Sequence, residues 1–185
     1  MTLNELKNPY AIDKYLSRMC GDILDFKDLG YKHPITFIGI MKGGLFTTYS
    51  LLKKFDPICI TIGHIGLSSY HNKLSSSEVK VTYPVDLEKK FINNRNVWII
   101  DDVVDSGETL AVAKTIVRAY DPAYLHTAVL VDKKSNRVAH NVEAPNVVGF
   151  IYKKDEFLVG CGMGYGEDYR CLHGVYELVD VKEEL

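Results

Sequence analysis

Apolar positions in this chain fall into short unbroken runs separated by amphipathic stretches, and that alternation predicts its elements. Residues 9–26 place Ile12, Leu16, Met19, Ile23 and Leu24 on one helical face. Gly30 and Pro34 punctuate the exit. Residues 35–41, ITFIGIM, are apolar almost throughout and read as a parallel strand buried on both faces. Lys42-Gly43-Gly44 ends that run, and 45–55 predict the next helix. A second apolar strand is expected at 57–65. Polarity then rises over 68–80, SSYHNKLSSSEVK, which holds five serines and lacks helical period. It reads as a long mobile loop or a loosely held hairpin, with 79–85 as a candidate return strand.

The stretch 97–110, VWIIDDVVDSGETL, joins four apolar residues to two adjacent carboxylates, then to a third and a small hydroxyl-bearing turn. Helical spacing resumes at Leu110, Ala113, Ile116 and Val117. Further strands are expected at 125–131, ending on Asp132-Lys133-Lys134, at 147–152 and at 157–159. The glycine-rich segment 160–166 follows, and 174–179 is expected to close the sheet. Strands alternating with helices predict an α/β fold, an open, mostly parallel sheet flanked by helices on both faces. Without repeats or a linker, residues 1–185 read as one domain.

Composition narrows the function classes. The chain is 46% apolar and 25% charged with a net charge of −2, the balance of a soluble globular protein. Its lysine pairs, Lys53-Lys54, Lys89-Lys90, Lys133-Lys134 and Lys153-Lys154, are scattered, which argues against a nucleic-acid surface. The apolar runs are of strand length, too short to span a membrane. The N-terminus is charged throughout and has no signal-peptide core, so a cytoplasmic protein is expected. Cys20, Cys59, Cys161 and Cys171 lack metal or redox spacing and are expected to be idle thiols in a reducing compartment.

In open α/β sheets, ligands bind outside the carboxyl ends of the strands. Three predicted strand ends here carry polar groups, at Lys42-Gly43-Gly44, Asp101-Asp102 and Asp132-Lys133. The loop Asp105-Ser106-Gly107-Glu108-Thr109 offers hydroxyls, a glycine and a helix N-terminus, which together suit a phosphate monoester. The plainer alternative is a capped helix with Ser106 as N-cap and Thr109 at N3. The two carboxylates just ahead favour the phosphate. Asp101 and Asp102 would then face ribose hydroxyls and hold Mg²⁺ directly or through water. Because neighbouring strand side chains point oppositely, one of the two could serve only as a brace.

The segment IIDDVVDSGETL resembles the signature of type I phosphoribosyltransferases. Other segments narrow the resemblance to the hypoxanthine-guanine branch. GIMKGGLFTTYSLL resembles its pyrophosphate-contacting segment, LVDKKSNR its purine-binding lysine segment, and FLVGCGMGYGEDYR its base-stacking hood. Ser69-Tyr70 matches the dipeptide of its mobile loop. The resemblance runs from about residue 10 to 180.

It implies transfer of ribose 5-phosphate from phosphoribosyl pyrophosphate (PRPP) to N9 of hypoxanthine, guanine or xanthine. The products would be nucleotides such as IMP and GMP, with pyrophosphate released and Mg²⁺ as cofactor. In that reading Asp105 handles a proton near N7 of the base, and Asp101, Asp102 and 105–109 bind the ribose phosphate. Lys42, Gly43 and Arg170 bind pyrophosphate, while Ser69 and Tyr70 close over the site. Lys133 donates to the purine O6, Phe157 stacks on the base, and the Leu158 backbone meets its 2-substituent. Asp132 and Lys134 are left to surface pairing and solvent.

The resemblance further implies a small hood formed by terminal segments, mainly about 133–180, and a homodimer or homotetramer. A non-proline cis peptide is expected at Met41–Lys42. One position departs from the pattern: Gly164 stands six residues before Arg170, where the family places a metal-binding aspartate. A weaker second metal site, or one filled by water or Asp168, is expected. The stretch ITIGHIGLSSY also lacks the acid often found before the mobile loop. Two other readings use the same fold: a catalytically silent regulator that binds PRPP or nucleotide, and a transferase for another base.

Overall fold

The computed structural model describes residues 2–26, 34–55, 60–70, 78–134 and 143–179, with the backbone alone at Ser69, Tyr70 and Glu78. In chain order the elements are β1 (Thr2–Lys7), α1 (Pro9–Leu24), β2 (Ile35–Met41), α2 (Gly44–Leu52), β3 (Thr61–Tyr70) and β4 (Glu78–Tyr83). After a short 3₁₀ turn come β5 (Asn96–Val104), α3 (Glu108–Arg118), β6 (Tyr124–Lys133), β7 (Val147–Tyr152), β8 (Phe157–Val159) and β9 (Val175–Val179).

The main sheet has the order β4-β3-β2-β5-β6-β7. Its strands are parallel except β4, which returns antiparallel against β3. The unbroken apolar runs sit where both faces are covered, as the pattern predicts. On one face Ile12, Leu16, Met19 and Ile23 of α1 and Leu51 of α2 pack with Phe37, Trp98, Ile100 and Leu130. On the other, Leu110, Ala113 and Val117 of α3 cover Ile38, Ile40 and Ile99. Asn8 starts α1 by accepting a 2.9 Å hydrogen bond from Ala11 N, with Pro9 in the first turn. Leu24, expected on the buried face, is 44% exposed. It lies about 100° around the helix from Ile23, which holds the inward position.

The segment 174–179 does not close this sheet. Its strand β9 pairs antiparallel with both β1 and β8 in a separate three-stranded sheet. A short alternating run announces a strand but not its partner, and the partner here is the charged N-terminal segment. The hood therefore draws on both ends of the described chain. The polar stretch 68–70 extends β3 beyond the expected strand, pairing Ser68 with Lys80 and Ser69 with Val79. Main-chain hydrogen bonding sustains it despite its polar side chains. Residues 71–77, the middle of the expected loop, and 57–59, the start of the expected second strand, lie outside the described residues.

Cys20 and Cys161 are buried and unpaired, and Cys171 is exposed and unpaired; Cys59 lies outside the described residues. Burial pushes the Cys161 thiol up to about 12, which keeps it protonated and unreactive. Among the described residues no helix is long and apolar enough to cross a membrane.

Candidate active site

Strand register gathers the polar strand ends. Parallel pairing sets Val104 of β5 opposite Asp132 of β6, which brings the following residues, Asp105 and Lys133, side by side. Lys133 Nζ lies 3.3 Å from Asp105 Oδ2 and 3.8 Å from Asp155 Oδ1. The lysine is buried, while the Asp105 side chain remains 46% exposed. Asp105 Oδ1 is itself buried and has no hydrogen-bond partner among the described residues. The exposed part of the side chain therefore lies away from Oδ1, and it is there that a ligand donor can reach the carboxylate. Asp132, expected at the surface, is buried within β6 beside the likewise buried Lys133. Lys134 is exposed, as expected.

Asp101 and Asp102 are both buried and form one hydrogen-bonded pair. Asp101 Oδ1 accepts from Asp102 N and Asp102 Oδ1 from Val103 N, each at 2.9 Å. Burial drives the Asp101 carboxyl well above the usual carboxylate range, and the adjacent Asp102 raises it further. Burial also lifts Asp102, against the hydrogen bond from Asp101, backbone N–H groups and the charge of Arg170. Such a pair holds a proton between them or, equally, suits a cation. Both carboxylates border the turn after β2. A Cβ on Gly43 would stand 1.9 Å from Asp102 Oδ2, and one on Gly44 would stand 3.4 Å from Asp101 Oδ1. Gly43 is thus the residue that lets this turn lie against the acid pair.

The turn itself contains the Met41–Lys42 peptide in the cis form, as expected. Lys42 Nζ reaches across to Glu167 Oε1 at 2.7 Å. Arg170 is seated in the hood by donating from Nη1 to Gly162 O at 2.9 Å and from Nη2 to Gly166 O at 3.2 Å. Its Nε stands 3.6 Å from Glu167 Oε2. The absence of a side chain at Gly164 makes that seat. A Cβ there would be 2.8 Å from both Cγ and Cζ of Arg170.

The loop after β5 does not cap α3 as the plainer alternative has it. Gly107, left-handed at φ 88°, is the N-cap residue, and no side chain caps the helix. Ser106 Oγ accepts only a 3.4 Å hydrogen bond from Glu108 N. Glycine delays the helix start by one residue, which takes Ser106 out of the cap position and Thr109 out of N3. The N-terminal N–H groups and their positive dipole end thereby stay open to an anion.

On the hood, Phe157 is 45% exposed and Leu158 is buried. The Phe157 ring meets Tyr165 edge-on, with centroids 5.5 Å apart and an interplanar angle of 87°. An aromatic this exposed is not core. Ser69 and Tyr70 end β3, but their side chains lie outside the described residues. Sequence reasoning missed three residues that border the site: Glu167, Asp155 and Tyr165. Their only sequence signal is position, three residues before Arg170, two before Phe157 and within the glycine-rich segment.

Among the described residues no three His, Cys, Asp or Glu side chains are placed to hold a metal ion. The donor set still fits Mg²⁺, which binds through one or two carboxylates and completes its shell with water and substrate phosphates. Asp101 and Asp102 would supply those oxygens, and a cation would relieve the burial cost that both carboxyls bear.

Known proteins resemble this chain in sequence and in fold. The family described as phosphoribosyl transferase domain matches residues 12–165. The hypoxanthine-guanine phosphoribosyltransferase of Streptococcus mutans is 36% identical over 148 residues, covering 79% of this chain and 77% of that protein. Its counterpart from Staphylococcus epidermidis is 32% identical over 176 residues and 91% of each chain. Among solved structures, a hypoxanthine-guanine phosphoribosyltransferase from Bacillus anthracis aligns with a TM-score of 0.79 at 26% identity, covering 94% of this chain and 96% of that one. Hypoxanthine phosphoribosyltransferase from Trypanosoma cruzi, in complex with the product IMP, aligns with a TM-score of 0.80 at 26% identity, covering 94% and 92%.

Proposed function

Since the chain belongs to the phosphoribosyltransferase family, we propose that it serves purine salvage by moving ribose 5-phosphate from PRPP to N9 of hypoxanthine or guanine, with xanthine a further candidate. IMP or GMP and pyrophosphate are the products. The observation that carries this reading is the Lys133–Asp105 contact, in which a buried lysine and a partly exposed carboxylate meet at the ends of neighbouring strands.

The roles follow from donor and acceptor chemistry. Lys133 has three donors and no acceptor, so it suits a 6-oxo group and is mismatched to a 6-amino group. The Asp105 carboxylate, 46% exposed as a side chain, accepts the proton near N7 as N9 bonds to C1 of the ribose. The C1–oxygen bond to pyrophosphate breaks in the same event, and the leaving charge grows where Lys42, Gly43 and Arg170 stand. The open N-terminus of α3, with Ser106, Gly107, Glu108 and Thr109, takes the 5′-phosphate. Asp101 and Asp102 receive the ribose hydroxyls. Mg²⁺, held by this pair directly or through water and ribose, would neutralise charge on the departing pyrophosphate. Phe157 stacks on the base, the Leu158 backbone meets its 2-substituent, and closure of Ser69 and Tyr70 over the centre excludes water.

Incubation with PRPP, Mg²⁺ and each of hypoxanthine, guanine, xanthine and adenine tests the reading through pyrophosphate release. Turnover with 6-oxopurines and little with adenine is expected. Silence with every base would favour the regulator, and turnover confined to another base would favour the other transferase.

The missing hood acid supports a weaker second metal site. Gly164→Asp is expected to lower the Mg²⁺ concentration needed for half-maximal activity by about 2- to 10-fold. The new side chain must first move Arg170 from its seat, so the KM for PRPP should rise. A Mg²⁺ titration that is unchanged by the substitution would sink the weaker-site idea.

We read the assembly as a homodimer or homotetramer. Exposed Leu45, Tyr49 and Tyr83 border a mainly apolar cavity of about 920 Å³ that also touches Lys42 and Arg170. An apolar face of this kind supports contact with a second copy, and sedimentation of the purified chain at several concentrations would reveal a monomer if the reading is wrong. A cytoplasmic place of action accords with the free thiols of Cys20, Cys161 and Cys171.

A further inference from the structure

Lys42 and Arg170 come from different parts of the chain, the turn after β2 and the hood, yet one carboxylate touches both. Glu167 offers Oε1 to Lys42 at 2.7 Å and Oε2 to Arg170 at 3.6 Å. One oxygen per cation is how a phosphoryl group would engage the same two residues. Glu167 sits in a tight turn that closes on itself: Asp168 N donates to Tyr165 O at 3.1 Å, and Tyr165 and Asp168 form an isolated bridge. The turn aims the acid back toward the cations. Both side chains of its stronger contact are exposed, Lys42 at 58% and Glu167 at 71%, so the bridge can open at low cost. Lys42, and less so Arg170, hold the Glu167 carboxyl below the usual carboxylate range, so it is charged at neutral pH.

We propose that Glu167 is a built-in competitor for the pyrophosphate seat, an internal anion that bridges Lys42 and Arg170 in the empty enzyme and must swing out when pyrophosphate or PRPP binds. The proposal rests on the reading that Lys42 and Arg170 hold pyrophosphate. Its physical basis is that one pair of cations cannot serve two anions at once, and a multiply charged pyrophosphate placed beside Glu167 would repel it. Two consequences follow. The bridge fastens the hood to the turn after β2 while the site is empty. It also subtracts from the affinity for every pyrophosphate-bearing ligand, and so favours product release. Because the bridge is exposed, its effect is several-fold and salt-sensitive.

Calorimetric titration of the whole enzyme with Mg²⁺-pyrophosphate tests this, beside the KM for PRPP. Glu167→Gln should tighten pyrophosphate binding about 2- to 5-fold and lower the KM for PRPP to a similar degree. Glu88→Gln, which removes an exposed acid paired instead with Lys90, controls for net charge and should change neither. In a Lys42→Ala background the gain from Glu167→Gln should shrink or vanish, because the bridge is already broken. Weaker pyrophosphate binding in Glu167→Gln, or a change no larger than that of Glu88→Gln, overturns the proposal while leaving the seat intact. If Lys42→Ala and Arg170→Ala both bind pyrophosphate as the unaltered enzyme does, the seat itself is misassigned, and the proposal falls with it for that separate reason.

Discussion

Replacing Asp105 with Asn is expected to lower kcat for hypoxanthine by about 10²- to 10³-fold, while affinity for PRPP stays within a few-fold. Asparagine keeps the size and the loop, so the phosphate cradle at the start of α3 should survive. What it loses is the charge and the ability to hold a proton. Among the described residues Asp105 Oδ1 is buried without a partner, and Oδ2 faces Lys133 at 3.3 Å. An amide there can still accept from the lysine but carries no charge, and among the described residues the carboxylate then left within 4 Å of Lys133 is Asp155, 3.8 Å away. It also presents a neutral group where the transferred base sheds its proton. Steady-state kinetics with PRPP varied, beside direct PRPP binding, separates the two effects. A larger loss of PRPP affinity than of turnover would argue against the base-side role.

Lys133→Met should reduce kcat/KM for hypoxanthine by about 10²- to 10³-fold, the scale for a site that loses a buried charged donor. The same substitution should narrow the preference for hypoxanthine over adenine. Methionine keeps an unbranched chain of similar length in a buried position, so the fold around β6 should hold. The ammonium is lost, and with it both the donor to a 6-oxo group and the partner of Asp105. Arginine is no conservative control, because its planar fork differs in shape from the point charge of lysine. Measured side by side, an unchanged hypoxanthine-to-adenine ratio would remove Lys133 from the specificity role even if overall activity fell.

Much of the fold is legible along the chain. The runs at 35–41 and 147–152 are strands over those residues, and the spacing of Ile12, Leu16, Met19 and Ile23 is the buried face of α1. These elements are readable because near neighbours in sequence decide them. Errors arise where a distant partner decides. Residues 174–179 form a strand, but in the hood sheet, because their hydrogen bonds go to the N-terminal segment. Serine-rich 68–70 belong to β3 because β4 returns against them. Leu24 is outward because Ile23 holds the inward position on α1.

The candidate site divides in the same way. By itself the sequence determined which residues end the strands and what chemistry they carry: an acid pair, a small hydroxyl-bearing loop with a glycine, a lysine on the next strand and an arginine in the hood. Only the tertiary structure decided who meets whom. Parallel register sets Lys133 against Asp105 across 28 residues of chain, and folding of the hood brings Glu167 to Lys42 across 125. It also couples Asp101 to Asp102, where alternation along an ideal strand would have parted them. The physical reason is that side-chain identity is a local property of the chain, whereas the distances that turn charges into a site depend on crossovers and sheet pairing that no local pattern records.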